Sequence, residues 1–439
     1  MKGQRFKFLL VLCLALAMAF VVAACGDDEG GGGGGGGSAE STNTTEGAKK
    51  VDPASMDNAK GDVTYCAGKD TSGDLKESIK EFNAANPGLN AKLLEFPESA
   101  DEQRNQFIQR QRAKSADCDG FEADVVWTAE FASQKWLMDM TPYVESRKDE
   151  FIPSTLSSVD FEGKLWGVPR VSDAGLLYYR TDKVDQVPAT WQEVYEQAKS
   201  GNGIVYQGAA YEGLTVNFLE LAFAAGGKIL SDDGKKSEID SPENLKALEF
   251  MVNGIKDGAA PKANTTYMEE EARRVFESGR ADYMRQWPYA YALGNMKGSK
   301  TKGKFEVAPY PEFEGGTKAA ILGGHNSVIS TYSKNPGGAL KLIDYMTSEK
   351  RMTKNATKYS KTPVLDASYE DPAVKKALPF IDQLKQAVEQ AKSRPVSPVY
   401  SQISQAIYKN VNAALSGSVE PKEALSKAQS DMDKALATF

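Results

Sequence analysis

Ala123-Asp124-Val125-Val126-Trp127 is a short run of apolar and β-branched residues holding one carboxylate, the pattern of a strand covered on both faces. Upstream of it, residues 101–115 read as a polar-faced helix and Ala91 to Phe96 as a strand. Before those, Leu75, Ile79 and Phe82 recur at i, i+4 and i+7 on a helix that Asn86-Pro87-Gly88 stops, and Val63-Thr64-Tyr65 is a first strand. The stretch from Asp62 to Trp127 is therefore a βαβαβ run, which predicts an α/β fold with a largely parallel sheet.

Downstream the pattern changes. Lys164 to Val168 and Gly175 to Arg180 read as strands with no helix-length segment between them. Helices then dominate. Thr190 with Glu193 and Thr266 with Glu269 have the spacing of capping boxes, Ser241-Pro242 that of an N-cap followed by proline, and Gly279 suits a helix stop near Ser278. Strands return at Ala281 to Trp287, Phe305 to Ala308 and Ile321 to Ser330, and from Pro336 the chain is helical to its end. This order suggests two lobes that share the chain.

The 439 residues carry 53 Lys and Arg against 60 Asp and Glu, a net charge of -7, which lacks the basic footprint of a nucleic-acid binder. The single histidine, His325, excludes a multi-histidine metal site and an HExxH helix. Neither a Walker A loop nor a G-x-S-x-G elbow is present, and no cofactor or metal is expected.

At the N-terminus, Lys2, Arg5 and Lys7 precede an apolar run from Phe8 to Val22 that ends in Val22-Ala23-Ala24-Cys25. This is the layout of a secretory signal over 1–24, and its ending resembles a bacterial lipoprotein signal with Cys25 as the lipidated residue; an ordinary signal with an incidental cysteine is the alternative. Residues 25–60, with unbroken glycine from Gly30 to Gly37, read as a flexible tether reaching about 30–35 Å. The expected location is the outer face of the cytoplasmic membrane, attached through lipid. In the exported body Cys66 and Cys118 are left as an even pair, which reads as a disulfide, with two free buried thiols as the alternative.

Trp166-Gly167-Val168-Pro169, then Asp173 and Ala174-Gly175-Leu176-Leu177-Tyr178-Tyr179-Arg180, resemble the extracellular solute-binding proteins of sugar ABC importers, with most similarity to the trehalose/maltose-binding branch. Further blocks in the same order support the resemblance over nearly all of the body: Asp124-Val125-Val126-Trp127 through Trp136-Leu137 to Met140-Thr141-Pro142, Pro188-Ala189-Thr190-Trp191, Phe276-Glu277-Ser278-Gly279-Arg280-Ala281, Gly323-Gly324, Thr362-Pro363-Val364 and Arg394-Pro395 with Tyr400. The resemblance implies a type II clamshell of two interleaved α/β lobes joined by hinge crossovers, one from 61–172 and 309–352, the other from 173–308 and 353–439. It also implies reversible binding of a disaccharide or short oligosaccharide, a monomer, and delivery to a membrane permease with its ATPase.

A pyranose needs carboxylates, Arg and Asn around its hydroxyl rim and flat aromatics against its C–H faces. By family position Asp173 is an acceptor for hydroxyls, Trp287 a stacking residue with Tyr289 close behind, Arg394 an arginine that reaches sugar oxygens and Tyr400 a cleft tyrosine. Asp70, Arg104 and Glu130 are aligned with first-lobe contacts. Gly324-His325 stands where much of the branch has Gly-Trp, which weakens stacking there and adds a polar ring. Structural roles compete at each position: a turn for Asp173, the core for Trp287, a helix-end cation for Arg394 and surface positions for the first-lobe three. Two other classes compete with import. A secreted glycoside hydrolase would need paired carboxylates such as Glu130 and Asp173, and a sensory lipoprotein would use the same clamshell.

Overall fold

The computed structural model describes residues 45–438. The expected signal, Cys25 and the poly-glycine run lie outside the described residues.

Two sheets organise the chain. The first has five strands: β1 (Gly61–Ala67), β2 (Leu89–Glu95), β3 (Gly120–Asp124), β4 (Val168–Ala174) and β9 (Leu322–Ile329), in the order β2-β1-β3-β9-β4. The second has four: β5 (Leu176–Arg180), β6 (Ile204–Val205), β7 (Tyr283–Gln286) and β8 (Phe305–Ala308), in the order β8-β5-β7-β6. Only Gly175 separates β4 in one sheet from β5 in the other, so the chain crosses between lobes there. β9 brings a late segment back into the first sheet, so the lobes share the chain.

The βαβαβ run forms, with helices Asp74–Ala85 and Ala100–Arg112 between parallel strands. The expectation of a largely parallel sheet is corrected. β9 runs antiparallel to β3 and β4, and in the second sheet β5 runs antiparallel to both neighbours, leaving β6 and β7 parallel. A strand that re-enters from the other lobe is not bound by the βαβ crossover that enforces parallel pairing.

β3 also sits earlier than Ala123–Trp127. After Asp124 the chain turns, because the Asp124 carboxylate accepts from the Val126 N–H (3.1 Å) and the Asp124 carbonyl from the Trp127 N–H (2.9 Å). The capping box at Thr190 and Glu193 is present with both bonds, and Ser241 caps Pro242–Lys256. The box expected at Thr266 and Glu269 is not. Thr266 belongs to a 3-10 turn, and the helix Glu269–Glu277 starts with Glu271 accepting from the Met268 N–H.

Residues 45–60, read as part of the tether, are instead seated on the first lobe. Val51 is 5% exposed within an apolar cluster that includes Val63, Leu340 and Ile343, its N–H donates to Asp139 (3.0 Å), and Asp52 caps a 3-10 turn at Pro53–Met56. Val51, with Met56 and Ala59 against the same cluster, the buried Thr45 bonded to Lys164 and the capped turn together dock a polar segment whose composition predicts no core. Cys66, on β1, and Cys118, just before β3, are joined as a disulfide with their Cα atoms 5.7 Å apart. No helix among the described residues is long and apolar enough to cross a membrane.

Candidate functional site

The carboxyl ends of β1, β3 and β4 and the start of β9 meet at one edge of the first sheet, where ligands of open α/β sheets bind. Register places His325 opposite both Asp124 and Val171, and Gly323 opposite Asp173. Across from this edge stand the first turns of helices Glu212–Ala224 and Glu269–Glu277 and the end of β7 with Trp287. Between them is a cavity of about 210 Å³.

Seven of the ten expected contact residues line it: Asp70, Asp173, Trp287, Tyr289, Gly324, His325 and Arg394. The other three do not. Arg104 and Glu130, on neighbouring helices, pair with each other, with Arg104 Nε donating to Glu130 Oε2 at 2.7 Å. Tyr400 is buried below the cleft floor and donates to Glu212 Oε1 at 2.6 Å. Residues that the sequence reading passed over complete the walls, among them Asp74, Glu122, Arg170, Glu212, Glu269 and Lys361. Asp124 was legible only as a strand residue. Arg170 carries a signal in retrospect, a lone cation within the apolar Val168 to Val171 stretch; Glu212 and Glu269 carry none.

Two buried arginines hold the cleft's charge. Arg170 on β4 donates to Asp74 (3.1 Å) and to Glu122. Burial would raise the Asp74 carboxyl, but Lys361 and Arg170 beside it hold it below the usual carboxylate range. Arg394 joins the two walls: Nη2 donates to Asp124 at 2.9 Å and Nη1 to Glu212 at 2.6 Å. Glu212 also accepts from Tyr400 and Ser404, yet burial leaves its proton affinity raised, with Arg394 opposing. A further bond across the walls runs from the Glu212 N–H to Asp101 Oδ2 (3.0 Å).

Asp173 accepts from the Thr362 hydroxyl, and Glu269 from the Tyr211 hydroxyl (2.6 Å). Burial raises both carboxyls, with those hydrogen bonds opposing. Asp70 uses its carboxylate locally, on the N–H groups of Gly73 (2.7 Å) and Lys76 (3.1 Å) at the head of helix Asp74–Ala85.

Trp287 is clamped. The Arg285 guanidinium lies 4.0 Å from the centre of its ring, held from behind by Glu220 (Nη2 to Oε1 2.6 Å, Nε to Oε2 3.0 Å), Gln207 and Tyr310. A Cβ on Gly175 would strike Tyr310, Glu220 and Arg285, so the glycine at the lobe crossover lets this cluster reach the backbone. A Cβ on Gly323 would lie 2.7 Å from the Trp287 ring, so that glycine lets the indole sit against the first sheet. Gly324 is required by its backbone: at φ +106° a side chain is strained, and a Cβ would collide with the Val171 carbonyl. Gly324→Ala is expected to lower folding stability by about 2 kcal/mol or more, read from the urea midpoint, because strain and collision act together.

A two-lobed clamshell with an aromatic ring and buried carboxylates in its cleft is the build of a solute-binding protein. The profile of the bacterial extracellular solute-binding proteins matches residues 68–353, and the chain belongs to that family, whose members serve carbohydrate ABC importers. It is 35% identical over 362 residues to a probable ABC transporter-binding protein of Deinococcus radiodurans, covering 78% of this chain and 86% of that one. Among solved structures, maltose-bound MalE3 of T. maritima is 37% identical with a TM-score of 0.81, covering 86% of this chain and 99% of that one. A solute-binding protein of Thermotoga lettingae bound with α-D-tagatose is 26% identical with a TM-score of 0.78, covering 86% and 100%. The chain is thus a substrate-binding protein of an ABC sugar importer, and these relatives are binding proteins rather than enzymes.

Proposed function

We propose that the sugar is a disaccharide or short oligosaccharide of the trehalose/maltose α-glucoside type, held between the lobes and handed to a permease by a monomer that Cys25 anchors in the membrane through lipid. The observation that carries this reading is Trp287, fixed as a flat apolar platform directly beside Asp173, an acceptor for hydroxyls. Pyranose C–H faces against the indole and rim hydroxyls against the carboxylates would satisfy both at once. The similarity to a maltose-bound protein at 37% identity points to the same ligand class.

In this reading Asp70, Asp173, Trp287, Tyr289, Gly324, His325 and Arg394 form the site. Arg104, Glu130 and Tyr400 support its walls from behind. A sugar touching both lobes favours closure by its differential affinity, and the permease reads the closed form. A thermal-shift screen against disaccharides, oligosaccharides, polyols and amino acids tests it. Maltose or trehalose at a hundredfold excess over its Kd should stabilise the chain by about 2.7 kcal/mol. Stabilisation by amino acids or polyols alone would overturn the sugar assignment.

A further inference from the structure

Among the described residues, the two lysines of the cleft donate no hydrogen bond from their ammonium groups, while its arginines are tied to carboxylates. Arg170 and Arg394 donate to carboxylates through both Nη groups, each leaving Nε without a partner, and Lys69, its side chain 49% exposed, reaches out toward Glu95 at 3.5 Å. Lys361 differs. Its Nζ lies 3.8 Å from Asp74 Oδ1 and 5.6 Å from the centre of the Tyr289 ring, and among the described residues it donates no hydrogen bond. Its side chain is 22% exposed and forms part of the cavity wall. Asp70, Glu122 and Asp173 also feel its charge, so the ammonium sits among four carboxylates with three N–H donors open.

The backbone is bent to put it there. Helix Glu349–Tyr359 ends at Ser360, which is buried and adopts φ 52°, a left-handed conformation uncommon for serine. The next residue is Lys361, and the one after, Thr362, holds Asp173 in place. Asp74 stands on a first-lobe helix and Tyr289 follows β7 of the second sheet, so Lys361 lies where the two walls face each other.

We propose that Lys361 is a ligand-binding residue, donating to a sugar hydroxyl that in turn donates to a neighbouring carboxylate. A hydroxyl both accepts and donates, so it satisfies the ammonium and the acidic side chains together. A phosphate or carboxylate on the ligand would meet the ammonium but be repelled by Asp70, Asp74, Glu122 and Asp173. This inference rests on the α-glucoside reading and names a contact within the same site.

The test is a calorimetric titration of the wild-type chain, Lys361→Met and Lys361→Arg with maltose and each monodeoxymaltose. Lys361→Met should weaken maltose binding at least tenfold while the ligand-free melting temperature stays within a few degrees. Lys361→Arg, which keeps a charged donor, should recover part of that loss. One deoxy analogue should bind wild type weakly yet lose nothing further in Lys361→Met, the coupling that direct contact requires. If Lys361→Met binds maltose as wild type does, or every deoxy analogue loses equally in both proteins, Lys361 touches no hydroxyl and the inference is overturned. If wild type binds trehalose but not maltose, the same comparison is made with trehalose and its deoxy analogues; if it binds neither disaccharide, the α-glucoside reading itself falls, and this inference with it.

Discussion

Arg394→Met should cost about 3 kcal/mol of folding stability. The arginine is 2% exposed and neutralises two carboxylates at once, Asp124 on β3 and Glu212 at the head of helix Glu212–Ala224. Removing it leaves both buried without their cation, and Tyr400 and Ser404 can offset only part of the Glu212 deficit. Arg394→Lys keeps a charge but lacks the fork that reaches both acceptors, so it should fall between. Urea unfolding at neutral pH measures this. A midpoint for Arg394→Met equal to wild type would show that the pairs contribute nothing net. Because both Nη groups are engaged with carboxylates of the two walls, holding those walls together is the larger part of its role.

Trp287→Ala should lower maltose affinity by about 2 kcal/mol or more, roughly thirtyfold. The ring presents flat apolar area to the cavity from a position fixed on one side by Arg285 and at its edge by Gly323, so it is preorganised for a sugar face. Trp287→Phe should retain part of the affinity. The substitution should leave the Arg285–Glu220 pair in place, so the ligand-free melting temperature serves as the control for folding. Unchanged maltose binding by a folded Trp287→Ala chain would remove the platform from the site.

The fold was legible where local pattern and tertiary packing agree. Leu75, Ile79 and Phe82 share the buried face of one helix, and the Thr190 capping box forms as spaced. It was least legible where distant segments meet. Nothing local in Leu322 to Ile329 shows that it will pair antiparallel with β3 and β4, and β4 itself, broken by Pro169, Arg170 and Asp173, lacks the alternation of a strand. Docking of Val51 depends on a surface formed by Leu340 and Ile343, nearly three hundred residues away.

The site divides the same way. Trp287, Asp173 and Gly324 sit in motif blocks and line the cleft, whereas Arg104 and Glu130, aligned without a motif, turn toward each other. Glu130, paired with Arg104, is not among the residues that line the cavity with Asp173. Lys361 escaped notice because its importance lies in what its ammonium does not bond, which no spacing encodes.

Calorimetric titration with maltose and trehalose, followed by chromatography of the recovered ligand, tests the central claim most directly. The account predicts saturable binding of at least one of them at one site per chain, with the disaccharide recovered intact. Heat from no α-glucoside, or glucose released at a catalytic rate, would contradict it.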